Sequence, residues 1–280
     1  FMIKHGLWKG KNLYELYKEA QTPFSWQKEL FDFARREKIV IFSTPFDQRG
    51  VDMLEDLDTP FYKVASFEIT DLPLIKYIAL KKKPIFISTG ISNQQEILEA
   101  LNTIREFSTQ DIVLLHCTSA YPAKIEEYNL SMIETLKKFN TLVGLSDHTL
   151  GIDASLAAVA LGACVIEKHF TIDKNIKSPD SKFSITPKQM KSLVIRTKKI
   201  WKGLGKGDFS RSNNEIKNRV FRRSIYFVKN LKKGDSITKG DVKIVRPGYG
   251  LSPKYINELI GRKITKSVEV GDRVTWKVLK

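Results

Sequence analysis

The sequence predicts an α/β protein: a (β/α)8 TIM barrel that lacks its first two strands, followed by a small, mostly β domain. Three observations support this prediction. Apolar segments alternate with amphipathic, helix-like segments over about the first 200 residues. Small polar residues end each apolar segment, as expected where the strands of a barrel meet its active-site rim. Beyond residue 205 or so, the pattern changes to short β-like pieces separated by turn residues.

The strands are predicted from continuous Val, Ile, Leu and Phe runs, which are typical of parallel strands covered on both faces. Their polar ends are spaced about 22 to 30 residues apart, the length of one strand-plus-helix unit. This spacing indicates six consecutive βα units. In chain order they begin with IVIFSTPFD (39–47), FYKVASFE (61–68), PIFISTG (84–90), DIVLLHCTSAYP (111–122), VGLSDHTLG (143–151) and CVIEKHFT (164–171).

Six such units fit either a doubly wound sheet or a barrel. A doubly wound nucleotide-binding sheet should offer a glycine-rich phosphate loop, and the sequence has neither G-x-G-x-x-G nor a Walker lysine. The barrel interpretation is therefore favoured, although it is two units short. The chain also opens on a helix-like segment with no strand before it, so we expect that about two N-terminal strands are missing.

The predicted domains are a partial barrel at 1–205, a polar linker at 206–220 and a mostly β domain at 221–280. Helical periodicity ends at the glycines of WKGLG, and a polar segment follows. In the C-terminal domain, LKKGD and VEVGD resemble two copies of one hairpin turn.

Composition indicates a globular protein with a sizeable core, since 42% of its 280 residues are hydrophobic. Cys117 and Cys164 lie in apolar strand patterns, so we expect reduced core residues and a cytoplasmic location. The formal net charge of +16 comes from scattered lysines with no nucleic-acid-binding motif. We therefore expect a solvated surface that attracts anionic small substrates, with no nucleic-acid or membrane partner.

Two histidines end adjacent predicted strands. His148 follows VGLSD and His169 follows CVIEK, so a barrel would place both imidazoles on one rim. Two such histidines can bind one divalent metal, with water and substrate oxygens completing the coordination shell. Two unrelated hydrogen-bonded histidines fit the spacing equally well.

A family resemblance favours the metal site. The motifs STPFD, YKVASFE, ISTG, CTSAYP, GLSDHTLGI, VIEKHFT and RPGYGLSP, in this order, resemble the sialic acid synthase family across essentially the whole chain. The resemblance implies a manganese-dependent barrel joined to an antifreeze-like (SAF) domain. It also implies condensation of phosphoenolpyruvate with an acetamido sugar, and a homodimer in which each SAF domain covers the partner's barrel.

The resemblance gives roles to twelve residues. It implies that His148 and His169 hold Mn²⁺ or another divalent metal. The implied catalytic residues are Glu68, Tyr121 and Asp180, and the implied substrate-binding residues are Thr44, Lys63, Ser66, Ser88, Ser119, Ser146 and Arg246. A lysine beside several hydroxyls suits a bound phosphate and carboxylate. Strand-end Ser and Thr can also simply cap the following helix.

Within the family, IKHGLWKGKNLYELYKEAQTPFSWQ, CTSAYPA and DSKFS resemble the pseudaminic acid synthase branch, which uses a trideoxy diacetamido altrose. His116 and Pro179 depart from that pattern, so N-acetylneuraminate or legionaminate synthase remains the alternative. The family's first two strands carry a glutamate and a Lys-x-Gln pair. This chain alone is therefore expected to lack turnover, and an inactive remnant is a further alternative.

Overall fold

The computed structural model describes residues 1–4, 6–176 and 178–280, which divide into two compact units, residues 1–206 and 207–280. The first unit contains helices α1 to α8 and strands β1 to β5. The helices are Leu13–Ala20, Phe24–Glu37, Gln48–Asp56, Leu72–Ala79, Gln94–Phe107, Met132–Leu136, Asp153–Ala160 and Pro187–Leu204. The strands are Tyr62–Val64, Ile85–Ser88, Ile112–Cys117, Leu142–Asp147 and Ile166–Lys168.

The five strands form one parallel sheet in the order in which they occur along the chain. A doubly wound sheet would reverse its strand order at a switch point, whereas sequential order with a helical crossover after each strand is the barrel arrangement. All six residues of β3 are buried, as expected for a strand covered on both faces. The predicted barrel-type fold is confirmed.

The predicted first strand, at Ile39 to Phe42, is wrong. These residues are described, and none of them belongs to a strand. Phe42 packs its ring on Phe61 at 4.3 Å between centroids, but a β-strand is defined by a ladder of backbone hydrogen bonds. The Tyr62 amide of β1 donates instead to the Pro84 carbonyl on the β2 side of the sheet. Apolar composition therefore brings this segment to the sheet by side-chain contact alone.

Two of the helices begin at capping residues that local chemistry favours. Asn93 begins α5 with a reciprocal capping box, in which its side chain bonds the Glu96 amide and Glu96 bonds the Asn93 amide. Thr186 begins α8 in the same way with Gln189. The main core lies between the sheet and helices α3 to α7, where residues such as Ile78 and Leu101 are fully buried. Within the described part of the chain, no helix is long and apolar enough to cross a membrane.

The second unit contains helices Asn213–Lys217 (α9) and Ile256–Leu259 (α10) and an antiparallel pair, Ser224–Phe227 (β6) with Val242–Val245 (β7). The two predicted turns have the same geometry. Gly234 and Gly271 both have positive φ, at 96° and 95°, a backbone conformation that residues other than glycine rarely adopt. In each turn the following aspartate accepts a bond from the backbone amide three residues before it. Leu231 and Val268 pair antiparallel beside the turns.

The prediction that both cysteines are core residues holds for only one of them. Cys117 is buried at the end of β3, whereas Cys164 is exposed. Cys164 lies before β5 begins at Ile166, so its place in the apolar run did not put it inside the sheet.

Candidate active site

A cavity of about 340 Å³ opens at the carboxyl ends of the five parallel strands. It is lined by Thr44, Phe46, Lys63, Ala65, Ser66, Ser88, Cys117, Tyr121, Ser146, His148, Glu167, Lys168 and His169. Eight of the twelve residues predicted from sequence are in this lining. Parallel strands bring residues far apart in the chain to one rim, and this is where barrel enzymes bind their substrates.

A second cavity, of about 410 Å³, lies at the opposite ends of β3 and β4 and is lined by Arg105, Asp111, Asn140 and their neighbours. Its lining contains no histidine and none of the residues predicted from sequence. The chemistry therefore identifies the smaller cavity as the candidate active site.

One side of the candidate site suits an anion. The side chain of Lys63 is 7% exposed, and its Nζ lies 3.6 Å from Glu167 Oε1. Glu167 in turn accepts a 2.6 Å hydrogen bond from Ser146 Oγ. Ser88 Oγ is buried and has no partner among the described atoms, so its hydroxyl is free to bind a ligand. A buried ammonium with convergent hydroxyls is well suited to a phosphate or carboxylate.

Ser66 is held in place by Gly90, on the loop that follows β2. The Gly90 amide donates to Ser66 Oγ at 3.2 Å. A side chain at Gly90 would overlap Ser66 Oγ and Ser119 Oγ, so only glycine allows this approach. Ser119 itself does not line the cavity, but it lies behind Cys117, with 3.9 Å between Oγ and Sγ.

The two histidines are neighbours across the rim, with ring centroids 5.3 Å apart. His148 Nδ1 lies 3.0 Å from the Thr118 carbonyl oxygen, so Nδ1 carries the proton and Nε2 is left as a lone-pair donor. His169 Nδ1 lies 3.3 Å from Asp180 Oδ2 and is oriented by that carboxylate. Rings that bind one ion through bonds of about 2.0–2.2 Å have centroids about 5 Å apart.

This donor set fits a divalent metal that is bound jointly by the protein and a substrate. Each imidazole has an outer polar partner of the kind that metal-binding histidines usually have, a backbone carbonyl for His148 and a carboxylate for His169. The described residues contain no group of three or more His, Cys, Asp or Glu side chains placed to hold an ion. A metal here would therefore take its remaining ligands from water or substrate oxygens, which suits a catalytic site with open positions.

Tyr121 forms the aromatic wall of the site. Its ring centroid lies 4.4 Å from His148 and 5.4 Å from Phe183. Burial raises the pKa of the Tyr121 phenol well above its ordinary value, so the hydroxyl remains a proton donor at neutral pH. Trp8 packs on Tyr121 at 5.5 Å, and its indole N–H donates to the Pro179 carbonyl at 3.2 Å. Trp8 thus anchors the loop that carries Asp180.

Glu68 lies outside the cavity lining, in the turn after β1. Burial raises the pKa of its carboxyl above the ordinary value, although the nearby positive charge of Lys63 partly opposes this. Its Oε2 is buried without a hydrogen-bond partner among the described atoms. Glu68 is therefore outside the cavity, and its one link to Lys63 among the described residues is the electrostatic influence of that charge.

Five lining residues are absent from the predicted set: Phe46, Ala65, Cys117, Glu167 and Lys168. Glu167 lies two residues before His169, and side chains two apart on a strand share a face, so strand periodicity could have found it. Cys117 Sγ lies 3.4 Å from Ser66 Oγ and 3.8 Å from His148 Nδ1. Burial is the largest single influence and opposes ionisation of this thiol, but His148, Ser66 and Ser119 together outweigh it and lower the pKa of Cys117.

Arg246, the remaining predicted residue, belongs to the second unit. It follows β7 directly and is exposed. Its neighbour Gly248 approaches the Arg222 carbonyl so closely that an added Cβ would lie 3.2 Å from that oxygen.

Comparison with known proteins decides the family. The NeuB family model matches residues 1–209, and the SAF domain model matches residues 222–280. The chain belongs to the NeuB family.

Several NeuB relatives are similar over most of their length. The pseudaminic acid synthase of Campylobacter jejuni subsp. jejuni is 45% identical over 273 residues, which are 97% of this chain and 80% of that protein. The N,N'-diacetyllegionaminic acid synthase of the same species is 43% identical over 264 residues, 93% of this chain and 79% of that one. The resemblance inferred from sequence motifs is thereby confirmed.

A solved NeuB-type structure supports the fold. The N-acetylneuraminic acid (sialic acid) synthetase from Leptospira borgpetersenii serovar Hardjo-bovis matches with a TM-score of 0.70 and 33% identity. The match covers 73% of this chain and 72% of that one. A NeuB barrel with a C-terminal SAF domain is thus the architecture of this protein.

Proposed function

We propose that this protein is a phosphoenolpyruvate-dependent nonulosonate synthase that makes pseudaminic acid from 2,4-diacetamido-2,4,6-trideoxy-altrose. The observation that carries the proposal is the convergence on one cavity of a buried lysine, three serine hydroxyls and two adjacent histidines. An anion-binding half next to a metal-binding half matches a reaction that joins an acidic enol phosphate to an aldehyde. The names of the most similar relatives support the same reaction class.

Phosphoenolpyruvate binds in the anion-binding half. Lys63 supplies the positive charge, while Ser66, Ser88 and Ser146 supply hydroxyl donors around it, with Thr44 at the edge. The unpartnered hydroxyl of Ser88 gains its missing hydrogen bond only when a ligand is present. Glu167 holds Lys63 and Ser146 toward each other, so the donors are arranged before the substrate arrives.

His148 and His169 are the proposed protein ligands of Mn²⁺ or another divalent metal. When bound, the metal supplies Lewis acidity that polarises the aldehyde of the open-chain sugar. The Thr118 carbonyl and Asp180 fix the ring orientations that this role requires. Asp180, 3.3 Å from His169, is also placed to accept a hydrogen bond from a sugar hydroxyl.

The reaction then needs orientation and proton transfer from the protein. C3 of the enol attacks the aldehyde carbon, a C–C bond forms, and the aldehyde oxygen becomes a hydroxyl by gaining a proton. Water adds at C2 and loses a proton, and cleavage of the C2–O bond releases phosphate and leaves a 2-keto acid. Tyr121, protonated at neutral pH, donates to the phosphate or sugar. Ser119, beside Cys117, is a further hydroxyl proposed for this role. Glu68 orients Lys63 or exchanges a proton with it.

The choice of sugar rests on the motifs of the pseudaminic acid branch and on the aromatic wall. A 6-deoxy sugar has a methyl group where N-acetylmannosamine has a hydroxyl, and an apolar contact favours the methyl by about 1–3 kcal/mol. Trp8 and Tyr121 offer such a surface at the rim. Identities of 45% and 43% separate the pseudaminic and legionaminic relatives only slightly, so the legionaminate precursor is the competing substrate.

We further propose a cytoplasmic homodimer in which Arg246 of each subunit reaches the sugar in the partner's barrel. Free thiols at Cys117 and Cys164 fit a reducing compartment. An exposed arginine beside a loop is available to bind an N-acetyl group in this way.

The test and the other turnover assays use the chain extended by the two N-terminal strands that the family resemblance implies. The extended protein is given phosphoenolpyruvate labelled with ¹⁸O in its C–O–P bridge, together with the altrose substrate and Mn²⁺. Cleavage of the C2–O bond must carry the label into phosphate, where mass spectrometry detects it. Label retained in the sugar acid would contradict the proposed chemistry, and absence of sugar-dependent phosphate release would contradict the proposed function.

A further inference from the structure

Strands β4 and β5 end in two successive cross-strand pairs. Ser146 is in register with Glu167, and Asp147 is in register with Lys168. The histidines His148 and His169 directly follow these two residues. Ser146, Glu167 and the two histidines line the cavity. Side chains alternate between the two faces of a strand, so Asp147 faces the helical layer.

Asp147 and Lys168 form a buried ion pair, with 2.9 Å between Lys168 Nζ and Asp147 Oδ2 and side chains that are 1% and 0% exposed. Asp147 also accepts bonds from the Thr149 amide at 2.8 Å and the Thr149 hydroxyl at 2.7 Å. On the helix side, Ser155 in α7 donates to Asp147 at 2.5 Å. Every group around this carboxylate is a donor, so the pair is fully satisfied.

Lys168 holds the backbone on both sides of His148. Its ammonium binds Asp147, which precedes the histidine, and donates at 2.6 Å to the carbonyl of Thr149, which follows it. Since Lys168 also directly precedes His169, one side chain links the backbone segments that carry both imidazoles. Both of its contacts lie within the protein, so the ammonium is not free to bind a substrate.

A gain in folding stability does not by itself explain why a buried ion pair is present at this position. Burying two charges costs about as much as their attraction returns, and apolar replacements of similar shape are often neutral. Metal sites, by contrast, need their ligands held to within about 0.5 Å of the working geometry. We propose that Asp147 and Lys168 are positioning residues that set the separation of His148 and His169 and thereby the metal affinity of the site.

This inference rests on the proposed metal site, and the experiment measures metal binding without turnover. The double variant Asp147→Asn/Lys168→Met removes both charges, so it leaves no uncompensated buried ion. Mn²⁺ binding is followed by the electron paramagnetic resonance signal of the free ion, and folding by thermal unfolding without metal. Loss of outer hydrogen-bond partners typically weakens metal binding by about 10- to 100-fold, and we expect a loss of this size with little change in melting temperature.

The matched control makes the same two substitutions elsewhere. Asp52 and Lys81 form a 3.0 Å ion pair at the surface, away from the histidines, and Asp52→Asn/Lys81→Met should leave Mn²⁺ affinity unchanged. A lower melting temperature with unchanged Mn²⁺ affinity in the Asp147/Lys168 variant would show a purely structural pair. Weaker phosphoenolpyruvate binding with unchanged Mn²⁺ affinity would show instead that Lys168 contacts substrate. Either result overturns the positioning role.

The variants His148→Ala and His169→Ala separate this inference from the proposed function. Each should abolish high-affinity Mn²⁺ binding. Unchanged binding in both would overturn the metal site and the positioning role together. Loss of binding in the histidine variants with normal binding in the Asp147/Lys168 variant would overturn the positioning role alone.

Discussion

Replacing Lys63 with methionine tests the anion-binding half of the site. The side chain is 7% exposed, and its one described ion-pair partner, Glu167, is 37% exposed and stays hydrated without it. The fold should therefore survive. A hydrogen bond to a charged group contributes about 1.5–3 kcal/mol. The dissociation constant for phosphoenolpyruvate should rise by about 10- to 150-fold, since about 1.4 kcal/mol corresponds to tenfold.

Lys138→Met is the matched control, because it removes the same charge from an exposed position. Exposed charges act over about 8–10 Å before salt screens them, so this variant should change the affinity less than about twofold. Isothermal titration with phosphoenolpyruvate measures both variants. Equal losses in the two would mean that the net charge of +16 attracts the anion diffusely. An unchanged affinity in Lys63→Met would refute the assignment of the anion site.

Three further predictions concern the rim, the dimer and the second unit. Trp8→Ala should reduce discrimination between the altrose substrate and N-acetylmannosamine by about tenfold, because it removes apolar surface and frees the loop beside Asp180. The ratio of the kcat/KM values for the two sugars measures this discrimination. The variants Lys63→Met and Arg246→Ala should each be inactive alone and should regain about a quarter of wild-type activity when co-expressed. About half of the dimers are then mixed, and domain exchange gives each mixed dimer one intact site out of two. Sites completed within one subunit would show no recovery. Bonds from the Thr238 hydroxyl and amide lower the pKa of Asp241, so its stabilisation is present above about pH 4 and lost as the pH falls through the folded-state pKa. Asp241→Asn should flatten the loss of urea stability between about pH 5 and pH 3, and an unchanged slope would contradict this assignment.

Local rules predicted most of the barrel unit. Apolar runs with polar ends located β1 to β5, because a strand buried on both faces needs continuous apolar residues. The segment at Ile39 to Phe42 has the same composition, but its strand state depends on a hydrogen-bonded neighbour that composition does not report. The prediction for Cys164 failed for a related reason, since it lies two residues before β5 begins and is exposed there.

The site was predictable where residues end strands and unpredictable where loops meet. His148 and His169 came together because adjacent parallel strands place their carboxyl ends on one rim. The contact between Trp8 and the Pro179 carbonyl joins residues 171 positions apart, and no periodicity indicates it. Asp147 and Lys168 were overlooked because the sequence does not show the register of the two strands, which makes these strand-end residues partners.

The most direct test of the proposed function is a competition for phosphoenolpyruvate among three sugars. The protein, extended by the two N-terminal strands that the family resemblance implies, is given Mn²⁺ and one of three sugars: 2,4-diacetamido-2,4,6-trideoxy-altrose, the diacetamido precursor of legionaminic acid or N-acetylmannosamine. Phosphate release is followed for each sugar. We predict a kcat/KM for the altrose at least about tenfold above that for either competitor. Equal or better use of another sugar would contradict the pseudaminic assignment, and no phosphate release with any of them would contradict the synthase itself.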